Sequence, residues 1–264
     1  MHEVRPPAVA GTFYPGTRGE LDAAVRGYLA DASAASEGTE VPKALIAPHA
    51  GYVYSGAVAA SAYARITRAR DVIRRVVLLG PAHRVPVSGL AAPEAEAFAT
   101  PLGEVRLDRE ALDAILELPQ VAVSDAAHAL EHSLEVQLPF LQIALGDFAL
   151  VPLVVGNAKP EEIAEVLDRL WGGEETLVVV SSDLSHFYGY TTAHRMDEAT
   201  SRAIEALEPG RIGTEQACGR IPVQGLLVAA RHHGLRARAI DVRNSGDTAG
   251  PRDSVVGYGS YVFG

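Results

Sequence analysis

Apolar and polar positions divide the chain into two alternating kinds of segment. Short runs rich in β-branched and aliphatic residues fall at 43–47, 75–79, 149–155, 177–181, 237–242 and 255–263. Several are apolar almost without interruption, the pattern of strands covered on both faces. Between them, stretches with helical spacing cover 21–30, 57–66, 109–116, 134–145, 160–170, 196–207 and 221–233. Pro160 followed by Glu161 and Glu162 marks a helix start, because proline suits the first turn and acids suit the positive end of the helix dipole. Strand–helix alternation predicts an α/β fold, a mainly parallel sheet sandwiched by helices. No internal repeat interrupts it. The stretch DASAASEGTE, 31–40, reads as an exposed loop inside one domain spanning 1–264.

Composition narrows the class without naming it. At 264 residues, with 48% hydrophobic and 21% charged positions, the chain has the balance of a soluble globular protein. No apolar run is long enough to span a bilayer, and the N-terminus MHEVRPPAVAG lacks the pattern of a signal peptide. A single cysteine, Cys218, excludes an internal disulfide framework and fits a reducing cytoplasm. The net charge of −10 argues against a nucleic-acid partner, which needs a basic footprint. The expectation is a cytoplasmic protein with neither a membrane nor a nucleic-acid partner.

Ligands of a doubly wound sheet bind at the carboxyl ends of its strands, and that rule sorts the polar residues. His49, in APHAGYVYSG, follows the strand at 43–47; His83, in GPAH, follows 75–79; Asp183 and His186, in SSDLSH, follow 177–181. Singly, each has a plain structural account, such as a helix cap formed by Ser182 or Asp183. Jointly they point at one shared rim. EHSLEVQLPFL places Glu131, His132 and Glu135 at a helix start, where capping and dipole complementation are alternative roles. ACGRIPVQGLL sets Cys218 just before a helix, either as a small buried apolar residue or as a thiol of lowered pKa that ligates metal. His2, His128, His194, His232 and His233 lack such company and read as structural or solvent-facing.

RPPAVAGTFYPG, APHAGYVYSG, LLGPAH, EHSLEVQLPFL, VVVSSDLSHF, CGRIPVQGLL and NSGDTAGPRDSVVGYGSYVF occur in that order. With these segments the chain resembles the Memo family, in prokaryotes called AmmeMemoRadiSam system protein B, essentially from end to end. The resemblance implies the three-layer α/β/α fold of the class III extradiol ring-cleaving dioxygenases, with a mainly parallel or mixed central sheet. It implies His49, His83 and Cys218 as metal ligands, His186 and His132 as acid–base histidines, and Asp183 in the same pocket. Fe(II) is the implied metal, with Cu or Zn as alternatives. The implied activity is that of a dioxygenase-like oxidoreductase on an unknown small molecule. The family name adds an association with a radical-SAM enzyme and its companion protein.

One departure matters. Thiolate stands where the dioxygenases place a carboxylate, which softens the site toward Cu(I) and Zn. Catechol ring cleavage is therefore not carried over. A non-catalytic metal- or phosphopeptide-binding signalling module, and a Zn-dependent hydrolase activating water at an open position, are the competing readings.

Overall fold

The structure, a computed structural model, describes residues 3–34 and 40–264. In chain order the first half holds β1 (Val4–Arg5), α1 (Arg18–Ala34), β2 (Ala44–Ala47), α2 (Tyr52–Tyr63), β3 (Arg75–Pro81), β4 (Leu90–Ala92), β5 (Ala97–Thr100) and β6 (Gly103–Arg106). Then come α3 (Arg109–Ile115), β7 (Val121–Val123), α4 (Asp125–Ala129), α5 (Leu138–Leu145), β8 (Ala149–Val155), α6 (Pro160–Leu170) and β9 (Thr176–Ser181). The last are β10 (His186–Tyr188), α7 (Tyr190–Glu205), α8 (Arg220–His232), β11 (Ala237–Asn244) and β12 (Val255–Phe263).

The sheet that carries the fold runs β10-β12-β2-β9-β3-β8-β4-β7, with β11 also paired to β12. Its centre, β2-β9-β3-β8, is parallel, while β12 joins β2 and β4 joins β8 antiparallel. A smaller sheet, β1-β5-β6, gathers the N-terminus beside it. The central strands are buried along their length apart from the first residues of β3 and β8, Arg75 and Ala149, as their apolar runs require. Ser260 and Tyr261, consecutive on β12, show that both faces are covered. Ser260 Oγ donates to Val58 O on α2, whereas Tyr261 OH pairs with Ser201 Oγ on α7 at 2.7 Å. Successive strand side chains point to opposite faces, so α2 and α7 lie in different layers. The fold is the predicted α/β sandwich with a mixed sheet.

β8, α6 and β12 match their predicted ranges residue for residue. At the predicted helix 134–145 a 3₁₀ turn (Glu135–Gln137) precedes α5, whose second residue is Pro139. Proline has no N–H to continue the helical ladder, so the α-helix starts there rather than earlier. α7 begins at Tyr190, ahead of the predicted 196, because its first turn is largely polar and gives no apolar period. Residues 31–34 of the predicted loop are the last turn of α1, and 35–39 lie outside the described residues. SSDLSH starts no helix of its own: its last residue, His186, opens β10, while Ser182 Oγ accepts the Gly219 amide ahead of α8 at 3.0 Å.

Candidate metal centre

Three parallel strands deliver their trailing loops to one end of the sheet. Two glycines allow the loops to close on one another. A Cβ on Gly80, at the end of β3, would lie 2.6 Å from Ser133 Oγ, and one on Gly219 would lie 2.6 Å from Ser182 Cβ. These contacts bring GPAH against EHS and the CG turn against SSD. The result is a cavity of about 540 Å³ lined by His49, His83, His132, Asp183 and His186 among others.

The imidazoles of His49, His83 and His132 each offer a nitrogen within 4.8 Å of the other two. Their ring centroids are 5.2 Å (His49–His83), 5.4 Å (His49–His132) and 4.7 Å (His83–His132) apart. Phe13, from the N-terminal segment, packs on His132 from the other side at 4.8 Å. Burial lowers the pKa of His49 to about 3 and that of His132 to about 4, with neighbouring imidazoles adding to both shifts. Both rings are therefore neutral donors at ordinary pH.

The hydrogen bonds assign the His49 tautomer atom by atom. Gln137 Nε2 faces Pro48 O at 2.9 Å, while Tyr63 OH donates to Gln137 Oε1 at 2.7 Å. The amide's second proton goes to Ser181 Oγ at 2.8 Å, and the Ser181 hydroxyl donates its own proton to Ser133 O at 2.6 Å. Only acceptor capacity remains on Ser181 for His49 Nδ1, 2.8 Å away. His49 thus carries its proton on Nδ1 and keeps a lone pair on Nε2. His83 reaches the same state by another route. Its Nδ1 lies 2.9 Å from Glu131 Oε1 and its backbone N–H donates to Glu131 Oε2 at 2.6 Å. Burial pushes the Glu131 carboxyl up, but bonds from His83 and Ser133 outweigh it and hold the pKa at about 2. An ionised carboxylate only accepts, so His83 Nδ1 donates, and the ring's ligating lone pair, when it is neutral, is on Nε2.

Asp183 acts through backbone rather than ring. Its Oδ1 accepts from the amides of His49 (2.7 Å) and Ala50 (3.3 Å), and its Oδ2 stands 4.0 Å from His49 Nε2. Burial raises its pKa, against those hydrogen bonds. Cys218 sits beside it: the Asp183 amide points at Sγ from 3.3 Å, and Sγ is 3.3 Å from His49 Nε2. Of the two alternatives for a thiol before a helix, the lowered pKa is not met: burial and then the Asp183 charge push it up to about 12. The bulk effect of desolvation outweighs the dipole of α8 here. His186 stands on the cavity wall with Nδ1 2.8 Å from Leu184 O, a bond that leaves its Nε2 free to accept. Glu135 does not line the cavity; it is buried against Arg5, with Nη1 2.7 Å away. His128 is buried with Nε2 on Ala91 O, while His194, His232 and His233 face acids at the surface. His2 lies outside the described residues.

The donor set fits a metal ion on three counts. His49 Nε2 holds a lone pair, the Nδ1 donation of His83 puts its ligating position on Nε2, and His132 Nδ1 is buried without a hydrogen-bond partner among the described residues. The Cys218–His49 spacing of 3.3 Å is close to the roughly 3.5 Å between tetrahedral N and S ligands bonded at about 2.0–2.3 Å. Sequence reasoning gave no role to Ser181 or Gln137 and placed Glu131 only at a helix start, yet these groups hold the two ligand imidazoles. A signal existed for Gln137: it is a lone amide inside the apolar stripe of Leu134, Leu138 and Leu141.

A family model described as Memo-like protein matches residues 5–262. A "MEMO1 family protein" of Aquifex aeolicus is 38% identical over 274 residues, covering 98% of this chain and 99% of the relative. Another "MEMO1 family protein", from Aeropyrum pernix, is 39% identical over 282 residues, with 97% and 98% covered. The crystal structure of the uncharacterized protein JW3007 from Escherichia coli K12 shares the fold at a TM-score of 0.50 and 15% identity, over 84% of this chain and 100% of that one. The end-to-end match of sequence, not the fold likeness, decides the assignment: the chain belongs to the Memo-like protein family.

Proposed function

We propose that the chain binds a transition-metal ion through His49, His83 and Cys218 and works as a non-haem, Fe(II)-dependent oxidoreductase on a small molecule. What supports this reading is that two separate strand-end loops bring the His49 and His83 imidazoles to one cavity, each fixed from behind, with the Cys218 sulfur 3.3 Å from His49 Nε2. Iron held by such a set would supply open positions for O₂ and substrate.

The chain's own groups then divide the remaining work. Ser181 and Glu131 keep the two imidazoles in the ligating tautomer, a task that outer hydrogen bonds serve in metal sites generally. Cys218 must shed its proton on binding metal, and the Asp183 amide stabilises the thiolate that results. Asp183 also fixes the His49–Ala50 turn. His132 and His186 face the cavity as neutral or acceptor imidazoles and can take a proton from a bound molecule.

A second reading has its own observation. The three imidazoles of His49, His83 and His132 already share one ligand-sized envelope, in which Cys218 would stand outside. Loading with Fe(II) under anaerobic conditions, then metal analysis, tests the shared part: His49→Ala and His83→Ala should lose stoichiometric uptake. Co(II) substitution separates the two sets. A sulfur-to-metal charge-transfer band that Cys218→Ser abolishes supports the thiolate set; its absence, with metal lost in His132→Ala, supports three imidazoles. Zinc retained through purification and water-dependent turnover would point to a hydrolase instead. No metal uptake at all would sink every metal reading.

A further inference from the structure

We infer that Arg84 is the anion-binding group of this cavity, and that the molecule the cavity receives is a small organic carboxylate. The inference rests on the metal reading only for where the molecule's other end lies. Arg84 directly follows His83 and is the sole lysine or arginine lining the cavity. It is exposed, and among the described residues no hydrogen bond, ion pair or ring contact engages it. What sets Arg84 apart is its place on the cavity wall; Arg5 and Arg75, by contrast, are committed to Glu135 and Asp108, each at 2.7 Å.

Among the described residues no carboxylate of the cavity pairs with Arg84. Asp183 is the one carboxylate on its wall; it is 4% exposed, and its Oδ1 is occupied by two backbone amides. Glu131 lies behind His83 and is taken up by His83 and Ser133. The root of Arg84 is also held. The preceding residue is clamped through both backbone N–H and ring by Glu131, so the Arg84 side chain starts from a held backbone. A guanidinium fork matches a carboxylate edge in bidentate fashion, which an ammonium does not. The rest of the wall is largely carbon: Phe13, Tyr54, Pro251, Val256 and Tyr258. That surface suits an apolar body attached to the carboxylate. The whole chain carries a net charge of −10 and repels anions at long range, so entry of one needs a local cation.

Isothermal titration with benzoate and its uncharged counterpart benzamide tests this, on the full chain with and without Zn(II). Benzoate should bind the parent protein. Arg84→Gln should weaken it about ten- to a hundredfold, the worth of a charge-assisted pair, while leaving benzamide within about twofold. Arg84→Lys should restore part of the loss. Equal benzoate affinity in Arg84→Gln, equal losses of both probes, or no benzoate binding by the parent protein would each overturn the inference. Failure of the metal reading shows elsewhere, in metal content. Arg84-dependent benzoate binding in a protein that takes up no metal keeps the anion site. Intact metal uptake with Arg84-independent binding removes the anion site alone.

Discussion

Glu131 and Glu135 stand four residues apart in EHSLE, both almost wholly buried, and they hold different parts of the molecule. Glu131 turns toward the sheet rim and accepts from the His83 ring, the His83 amide and the Ser133 amide. Glu135 turns toward the N-terminal segment and accepts from Arg5 Nη1 (2.7 Å), the Ala8 and Val9 amides (2.7 and 3.0 Å) and Tyr14 OH (2.6 Å). One carboxylate fixes a ligand; the other fastens the segment carrying Phe13, which in turn packs on His132. Residue type and burial are the same. Function follows from what the fold carries to each carboxylate.

Breaking the two separately should separate stability from metal binding. Glu135→Ala leaves the buried Arg5 guanidinium, two amides and a hydroxyl without their acceptor, and is expected to cost about 3–5 kcal/mol in chemical denaturation. Protein that still folds should take up metal with an affinity near the parent's. Glu131→Ala orphans fewer groups and carries no buried guanidinium, so about 2–3 kcal/mol is expected. Its metal affinity, however, should fall about ten- to a hundredfold because His83 loses its orientation. If Glu135→Ala weakens metal binding more than Glu131→Ala does, the division of labour is wrong.

This difference was out of reach of the sequence, where both glutamates read as acids at a helix start. A carboxylate's partner depends on long-range contacts: Arg5 lies 130 positions from Glu135. What could be read was periodic. The long strands β3, β8, β9 and β12 announce themselves by apolar runs, and the rule that ligands sit at strand ends then singled out His49, His83, Asp183 and His186. β4, β7 and β10 span only three residues each, too few for a period to show. Of the two roles open to Cys218, the raised pKa fits the small buried group; nearness to a helix start is visible in sequence, while the setting beside Asp183 is not.

The neutral side of the cavity offers a finer test. His49 is held by Ser181 and Gln137 without a charge, where His83 has a carboxylate. Ser181→Ala removes the acceptor for His49 Nδ1–H and the donor to Ser133 O, and about 2 kcal/mol of stability should go with them. Nitrogen-15 NMR of labelled histidine gives the sharper readout in the metal-free protein. The parent His49 should show Nδ1–H alone, Ser181→Ala a mixture of tautomers, and Ser181→Thr the parent pattern. A single unchanged tautomer in Ser181→Ala would show that the hydroxyl does not set it.

Asp197 extends the comparison to a buried carboxylate with no cation bonded to it. It is 3% exposed and accepts from the Ser185 amide at 3.0 Å, supporting the turn that ends in His186. Burial raises its pKa from 3.8 to about 6, the opposite of Glu131, whose His83 partner holds it at about 2. The sign follows from proton counting. Between pH 4 and 6 the folded state holds the Asp197 proton that the unfolded chain has released, so stability falls as pH rises through that window, and the penalty persists above it. Asp197→Asn keeps an acceptor for the Ser185 amide and does not titrate. Relative to the parent it should therefore gain about 2 kcal/mol between pH 4 and pH 7, read as the change in the denaturation difference between the two proteins. A difference that stays flat across that interval would mean that Asp197 is solvated well enough to ionise freely. The contrast with Glu131 would then lie in water access, not in the missing cation.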